Sequence, residues 1–267
     1  MTLTSNPYKS LSDADQRWLV DVHSRASAVI KDALDLHGRA PGLSSAIARA
    51  RVGFLDGELQ PVVAAVERAG TPVDCRRGCS SCCTLMVEIT PNEVFALVAE
   101  LESTLDPESL TEAKRRAQEV DQRGRKLPPW ERFLLRLFCP VLDRTSGACR
   151  GHAVRPAACQ GYLSLDRLSC EASSLGEQKT ILRPIASDLI RDAVMSAQFI
   201  VLQDAGYDQT RIELSAGLAA AWADPAAEPR WLAGSQAFRH SPSYDASDPC
   251  AGEPASPMPN RLEPAPY

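Results

Sequence analysis

The stretch CRRGCSSCC, residues 75–83, constrains this chain more than any other. It places Cys75, Cys79, Cys82 and Cys83 in the spacing C-x3-C-x2-C-C. Gaps bearing glycine and serine let a backbone curl until several sulfurs face one region. Thiolates this close in sequence form half of a tetrahedral metal or iron–sulfur site. The other half has to come from elsewhere. Cys139, Cys149, Cys159 and Cys170 follow, separated by ten, ten and eleven residues. The ninth cysteine, Cys250, stands apart near the C-terminus and reads as a spare thiol.

The setting decides between metal and disulfide. The first sixteen residues show no basic region followed by an apolar run, and no stretch nears the ~18 apolar residues of a membrane span. A cytoplasmic location without membrane contact is therefore expected. In a reducing compartment, clustered cysteines read as metal-binding or catalytic. A net charge of −5 argues against nucleic acid as the main partner. The charge is nonetheless uneven. Twelve Lys and Arg face five Asp and Glu between Lys114 and Arg167, the span carrying most of the later cysteines. Guanidinium groups there would offset the negative charge of a thiolate centre.

The fold class expected is mainly α: a helical domain built around an irregular cysteine-rich metal-binding core. Aromatics make up only 6%, which leaves aliphatic helix packing to form the core. Residues 11–37 show a Ser12 cap with Asp15 three residues on, and a stripe through Trp18, Val22, Val29, Ala33 and Leu36 that Leu19, Ile30 and Leu34 widen. His23 and His37 on this helix are about 21 Å apart in rise and cannot share a metal within it. Residues 44–69 read as helix with a break near 56–61, because Gly53, Gly57 and Pro61 interrupt it. Thr84–Ile89 is β-prone. Thr90-Pro91-Asn92-Glu93 is a capping box with proline at the first helical position. Further helices are expected from Pro107 or Glu108 to Gly124, over Trp130–Phe138, over 184–204, and from a Thr210–Glu213 cap to Trp222. Residues 139–170 are rich in turn signals, a length of irregular chain that needs a staple, and their four cysteines supply it. Three regions follow: N-terminal helices at 1–70 packed on the core, a cysteine-cluster domain with C-terminal helices at 71–223, and a mostly disordered tail at 224–267, in which Trp231 and Phe238 have some prospect of docking.

Eight cysteines precede that tail, enough for two tetrathiolate sites or for one cluster with spare thiols: Cys75, Cys79, Cys82, Cys83, Cys139, Cys149, Cys159 and Cys170. Zinc in such a shell is structural, whereas an iron–sulfur cluster with the same ligands adds redox chemistry. The residues leave that choice open. His152 is the one histidine in the region and a candidate replacement for a thiolate.

The pattern resembles the YkgJ-type cysteine-cluster family, described as zinc- or iron-chelating. Cys75, Cys79, Cys82 and Cys83 correspond to its C-x2-C-x2-C-C, Cys139 in CPVL to the next position, Cys149, Arg155-Pro156 and Cys159 to its C-x-[IV]-Y-x-x-R-P-x-x-C-R, and Cys170 to the last cysteine. The chain departs from the pattern in its three-residue first gap, in Gly151-His152 for the usual Ile-Tyr, and in Gln160 for the usual Arg. The family's cysteine motif is similar to that of flagellin lysine N-methylases. The resemblance therefore implies a metal-binding protein with a structural or carrier centre, or an iron–sulfur protein-modifying enzyme acting on a protein substrate. A thiol redox sensor is the third reading, from dithiol pairs alone. No G-x-G-x-x-G, G-x-x-x-x-G-K-[ST], H-E-x-x-H or G-x-S-x-G occurs, so no nucleotide, zinc-protease or hydrolase motif competes.

Overall fold

The computed structural model describes residues 11–238, and ten α-helices lie within them. The first is α1, Asp13–His37. Ser12 caps it: its hydroxyl accepts from the Asp15 N–H, and the Asp15 carboxylate accepts from the Ser12 N–H. Val22, Ala26, Ile30 and Ala33 are buried. Val22 and Ala33 lie on the expected stripe, Ile30 widens it, and Leu36 at its end is 81% exposed.

Helix α2, Leu43–Arg68, runs unbroken through Pro61. The expected break does not occur. Gly53, Gly57 and Pro61 recur at intervals of four and all face solvent. The carbonyl freed by proline is therefore on the wet side of the helix, where water satisfies it. The opposite face buries Ile47, Ala48, Leu55 and Leu59. At about 1.5–3 kcal/mol for each large aliphatic side chain, that face outweighs the roughly 3 kcal/mol proline penalty.

Helix α3, Pro91–Thr104, starts at the Thr90 capping box, and α4, Pro107–Gly124, starts at Asp106, whose carboxylate accepts from the Ser109 N–H. Helix α5, Pro129–Leu134, stops four residues short of Phe138, because Arg136 adopts a left-handed φ of 49° that no helix accommodates. Two short helices follow, α6 (Ala157–Gln160) and α7 (Arg167–Ser174). Then come α8 (Ile185–Asp204), α9 (Leu214–Ala223) and α10 (Ala227–Leu232). Strand β1, Glu88–Ile89, pairs antiparallel with β2, Ile212–Glu213. Residues 212–213 are therefore strand, and the cap of α9 is Glu213, which accepts from the Ser215 and Ala216 N–H groups, in place of Thr210.

Neighbouring helices follow the order α4, α9, α3, α2, α1, α8, with α8 also returning onto α2. Three buried apolar clusters fill the contacts. One joins α3, α4, α9 and the strands, one joins α1, α2, α3, α8 and α10, and one joins α1, α2, α6 and α8. The chain past residue 223 does not begin as a loose tail. Trp231 on α10 is fully buried, its indole N–H donates to the Asp208 carbonyl, and its ring lies 4.7 Å from Tyr207 and 5.8 Å from Phe95. Phe238 packs on Phe95 at 5.5 Å. Both aromatics marked for docking in that stretch reach the core, and α10 forms around the first. The remainder of that tail, with Cys250, lies outside the described residues, as do residues 1–10.

Candidate metal centre

The cysteines sit on the least regular part of the fold. Cys82 and Cys83 belong to a single 3-10 turn, Ser81–Thr84, and Cys75 and Cys79 to the loop before it. Cys139 follows α5. Cys149 faces Leu142 across an isolated antiparallel bridge that closes over the Asp143–Gly147 turn. Cys159 is on α6 and Cys170 on α7.

Close backbone contacts bring the two cysteine segments together. The Cys139 N–H donates to the Cys83 carbonyl at 2.7 Å, and the Asp74 N–H to the Ser164 carbonyl at 3.0 Å. Gly78 (φ 90°) and Gly147 (φ 69°) meet backbone to backbone, so tightly that a Cβ on Gly147 would lie 2.4 Å from the Gly78 carbonyl oxygen. Only glycine allows both the left-handed conformation and that approach.

As a result, Cys75, Cys79, Cys82, Cys83, Cys139, Cys149 and Cys159 line one cavity of about 660 Å³. Cys170 does not border it but is tied to it: its thiol donates to the Ser164 hydroxyl at 3.1 Å, and the Ser164 N–H donates to the Cys75 sulfur at 3.1 Å. All eight are free thiols. They ring the cavity without meeting at a point; among the described residues no three Cys, His, Asp or Glu side chains converge closely enough to hold one ion. Cys159 has open surface yet protein atoms on every other side, because its exposure is to the cavity it lines.

Burial raises the thiols of Cys149, Cys159 and Cys170, pushes Cys75 up to about 11 and pushes Cys139 up to about 12. The adjacent pair differs. Cys83 donates to Cys82, which favours the Cys82 thiolate and lowers its pKa, while the same bond and burial push Cys83 up. A cation held by these thiols would have to displace their protons.

Polar residues that the cysteine pattern does not reveal hold the ring in place. Arg116 on α4 donates to the Leu142 and Cys139 carbonyls, both at 2.7 Å. Arg51 on α2, fully buried, donates to the Arg155 carbonyl at 2.7 Å and lies 3.6 Å from Glu93. Glu93 also accepts from the Ala157 N–H at 3.1 Å, so one carboxylate caps α3 and anchors the segment delivering Cys159. Arg155 is paired with Asp56 at 2.8 Å and touches the His152 ring nitrogen at 2.9 Å. Burial and the Arg155 charge lower the pKa of that imidazole and favour its neutral form, whose Nε2 accepts from Arg155. The capping-box position of Glu93 was the one sequence signal for this anchor. Nothing local marked Arg51 or Arg116, whose partners lie far along the chain.

The structure also accounts for two departures from the family pattern. A Cβ on Gly151 would meet Leu97 Cδ2 at 2.5 Å and Val141 Cγ1 at 3.2 Å, so those side chains would have to shift to admit an isoleucine. Gln160, buried, donates to the Val52 carbonyl and to Asp56 at 2.8 Å, with the Arg51 guanidinium 3.4 Å from its side-chain oxygen. A second guanidinium at position 160 would face Arg51 across that gap.

Residues 74–179 match the family model named CxxCxxCC and described as "Putative zinc- or iron-chelating domain". The matched segment is similar to the YkgJ-type domains and contains the eight cysteines from Cys75 to Cys170. No curated protein and no solved structure matches the chain. No helix among the described residues is long and apolar enough to cross a membrane.

Proposed function

We propose that the chain binds zinc, iron or an iron–sulfur cluster through Cys75, Cys79, Cys82, Cys83, Cys139, Cys149, Cys159 and Cys170, and that the centre is structural or serves to carry metal. One observation supports this above the rest: seven thiols from two stretches of chain border a single cavity. The donor set fits a soft metal or an iron–sulfur cluster, both of which favour thiolates. Arg76, Arg77 and Arg155 on the cavity wall offset the charge of the ionised ligands.

A second reading draws on the cavity's size. About 660 Å³ exceeds what one or two ions fill and falls among volumes typical of small-molecule sites. That favours an iron–sulfur protein-modifying enzyme, such as a lysine N-methyltransferase, as the alternative.

Metal and acid-labile sulfide analysis separates the two on protein purified without oxygen and without a metal-affinity tag. Zinc in a colourless sample supports the structural or carrier centre. Iron with sulfide and broad absorption near ~400 nm puts the enzyme first. Cys82→Ser and Cys159→Ser are expected to lose metal; unchanged metal content in both variants sinks the assignment.

A further inference from the structure

A second recess, of about 410 Å³, adjoins the thiol cavity, and Arg76, Arg77, Gly78 and Cys79 line both. Its remaining wall comes from Arg136 and Phe138, after α5, and from one face of α7 with Arg167, Glu171 and Leu175. Four arginines thus face a single lining carboxylate, and Glu171 is already bonded to Arg167. The nearest carboxylate to Arg76 is Asp74, at 4.0 Å. Arg136 has a buried Nε with no partner. Its guanidinium and that of Arg144 lie 5.6 Å and 5.3 Å from the Phe138 ring. A cation–π contact of this kind holds a guanidinium near the ring while its N–H groups can still meet an anion.

The surroundings are unusual for a purely ionic patch. Leu175, which follows α7 and lines the recess, is 64% exposed; outside the lining, Leu168 beside Arg167 is 64% exposed and Leu135 beside Arg136 is 38% exposed. Arginines interleaved with uncovered aliphatic side chains match a ligand that carries both charge and apolar surface. A free oxyanion leaves the leucines uncovered. A nucleic acid leaves them uncovered too, and would meet a chain whose net charge is −5.

We propose that this recess docks an acidic, leucine-bearing segment of a partner protein and brings that partner to the Cys79 side of the metal centre. The docking stands on the arginines and leucines; its use in passing metal rests on the carrier reading above.

The test uses the full, metal-loaded chain and fluorescein-labelled peptides of alternating Glu and Leu, with a Lys–Leu peptide and a single-stranded oligonucleotide as competitors, read by anisotropy at low and physiological salt. The Glu–Leu peptide is expected to bind, more weakly as salt rises. In Arg136→Gln/Arg167→Gln, neither residue of which borders the thiol cavity, binding falls about tenfold or more, with melting temperature and metal content unchanged. Should the double variant fold poorly, Arg136→Gln alone is expected to show a smaller loss in the same direction. Absent binding, undiminished binding in the variants, or preference for the oligonucleotide overturns the proposal. Metal content is read on the same samples: peptide binding to a chain that takes up no metal sinks the carrier reading alone, and metal without peptide binding sinks the docking recess alone.

Discussion

The helical frame and the cysteine ring are built on opposite principles. In the frame, long helices bury continuous apolar faces, and α1, α2 and α8 contribute Val22, Ile30, Ile47, Leu55, Ile190 and Leu202, each at most 1% exposed. In the ring, short turns and four- to eight-residue helices surround a cavity of about 660 Å³. The frame holds itself by excluding water. The ring is held by a few backbone hydrogen bonds, by two glycines in contact and by buried guanidinium groups reaching in from the frame. A metal bound by the thiols would add its binding energy to folding, and that contribution would fall on the part with the least regular structure.

Four measurements test the separation of frame and ring. The largest effect is expected in the frame. Trp231→Ala removes the fully buried indole that pins the end of the chain to Phe95 and Tyr207, at a cost of about 3–5 kcal/mol in chemical denaturation. The loss should be similar with metal bound or chelated. A loss that appears only in the chelated protein would show that frame and ring are not separable.

Next comes the contact joining the cysteine segments. Gly147→Val places a Cβ 2.4 Å from the Gly78 carbonyl at a φ of 69°. It should cost about 2–3 kcal/mol and lower metal content as well. Normal metal loading in a destabilised variant would mean that the ring tolerates separation of its halves.

Chelation itself should act locally. Removing metal is expected to speed amide hydrogen exchange about tenfold or more over residues 75–83 and 139–170, a loss of ~1.4 kcal/mol in local stability, while α1 and α8 keep their protection. Uniform acceleration along the chain would erase the distinction between the two regions. The smallest expected effect is at Cys250, outside the eight-cysteine motif. Cys250→Ser should change neither metal content nor melting temperature, and a drop in either would place that thiol at the centre.

Local signals read well from the sequence. Ser12 with Asp15 and Thr90 with Glu93 start α1 and α3 where the capping pattern placed them, because a cap depends on residues three positions apart. The eight-cysteine pattern identified the domain for the same reason, since it is a matter of spacing. Sequence reasoning failed where an outcome depends on which side of an element faces water. Pro61 does not break α2, because it lies on the wet face. Trp231 belongs to the core although its neighbours in sequence look like a tail.

By itself, then, the sequence determined a mainly helical chain with cysteines spaced for thiolate chemistry. Only the tertiary structure decided that seven of those cysteines face one cavity. It also decided that Arg51 and Arg116 brace the backbone around them, and that arginines from three separate stretches form a recess alongside. Capping and periodicity act over three to eight residues, within reach of any local reading. Closing loops of some twenty to a hundred residues depends on how the helices stack, and that is a property of the whole fold.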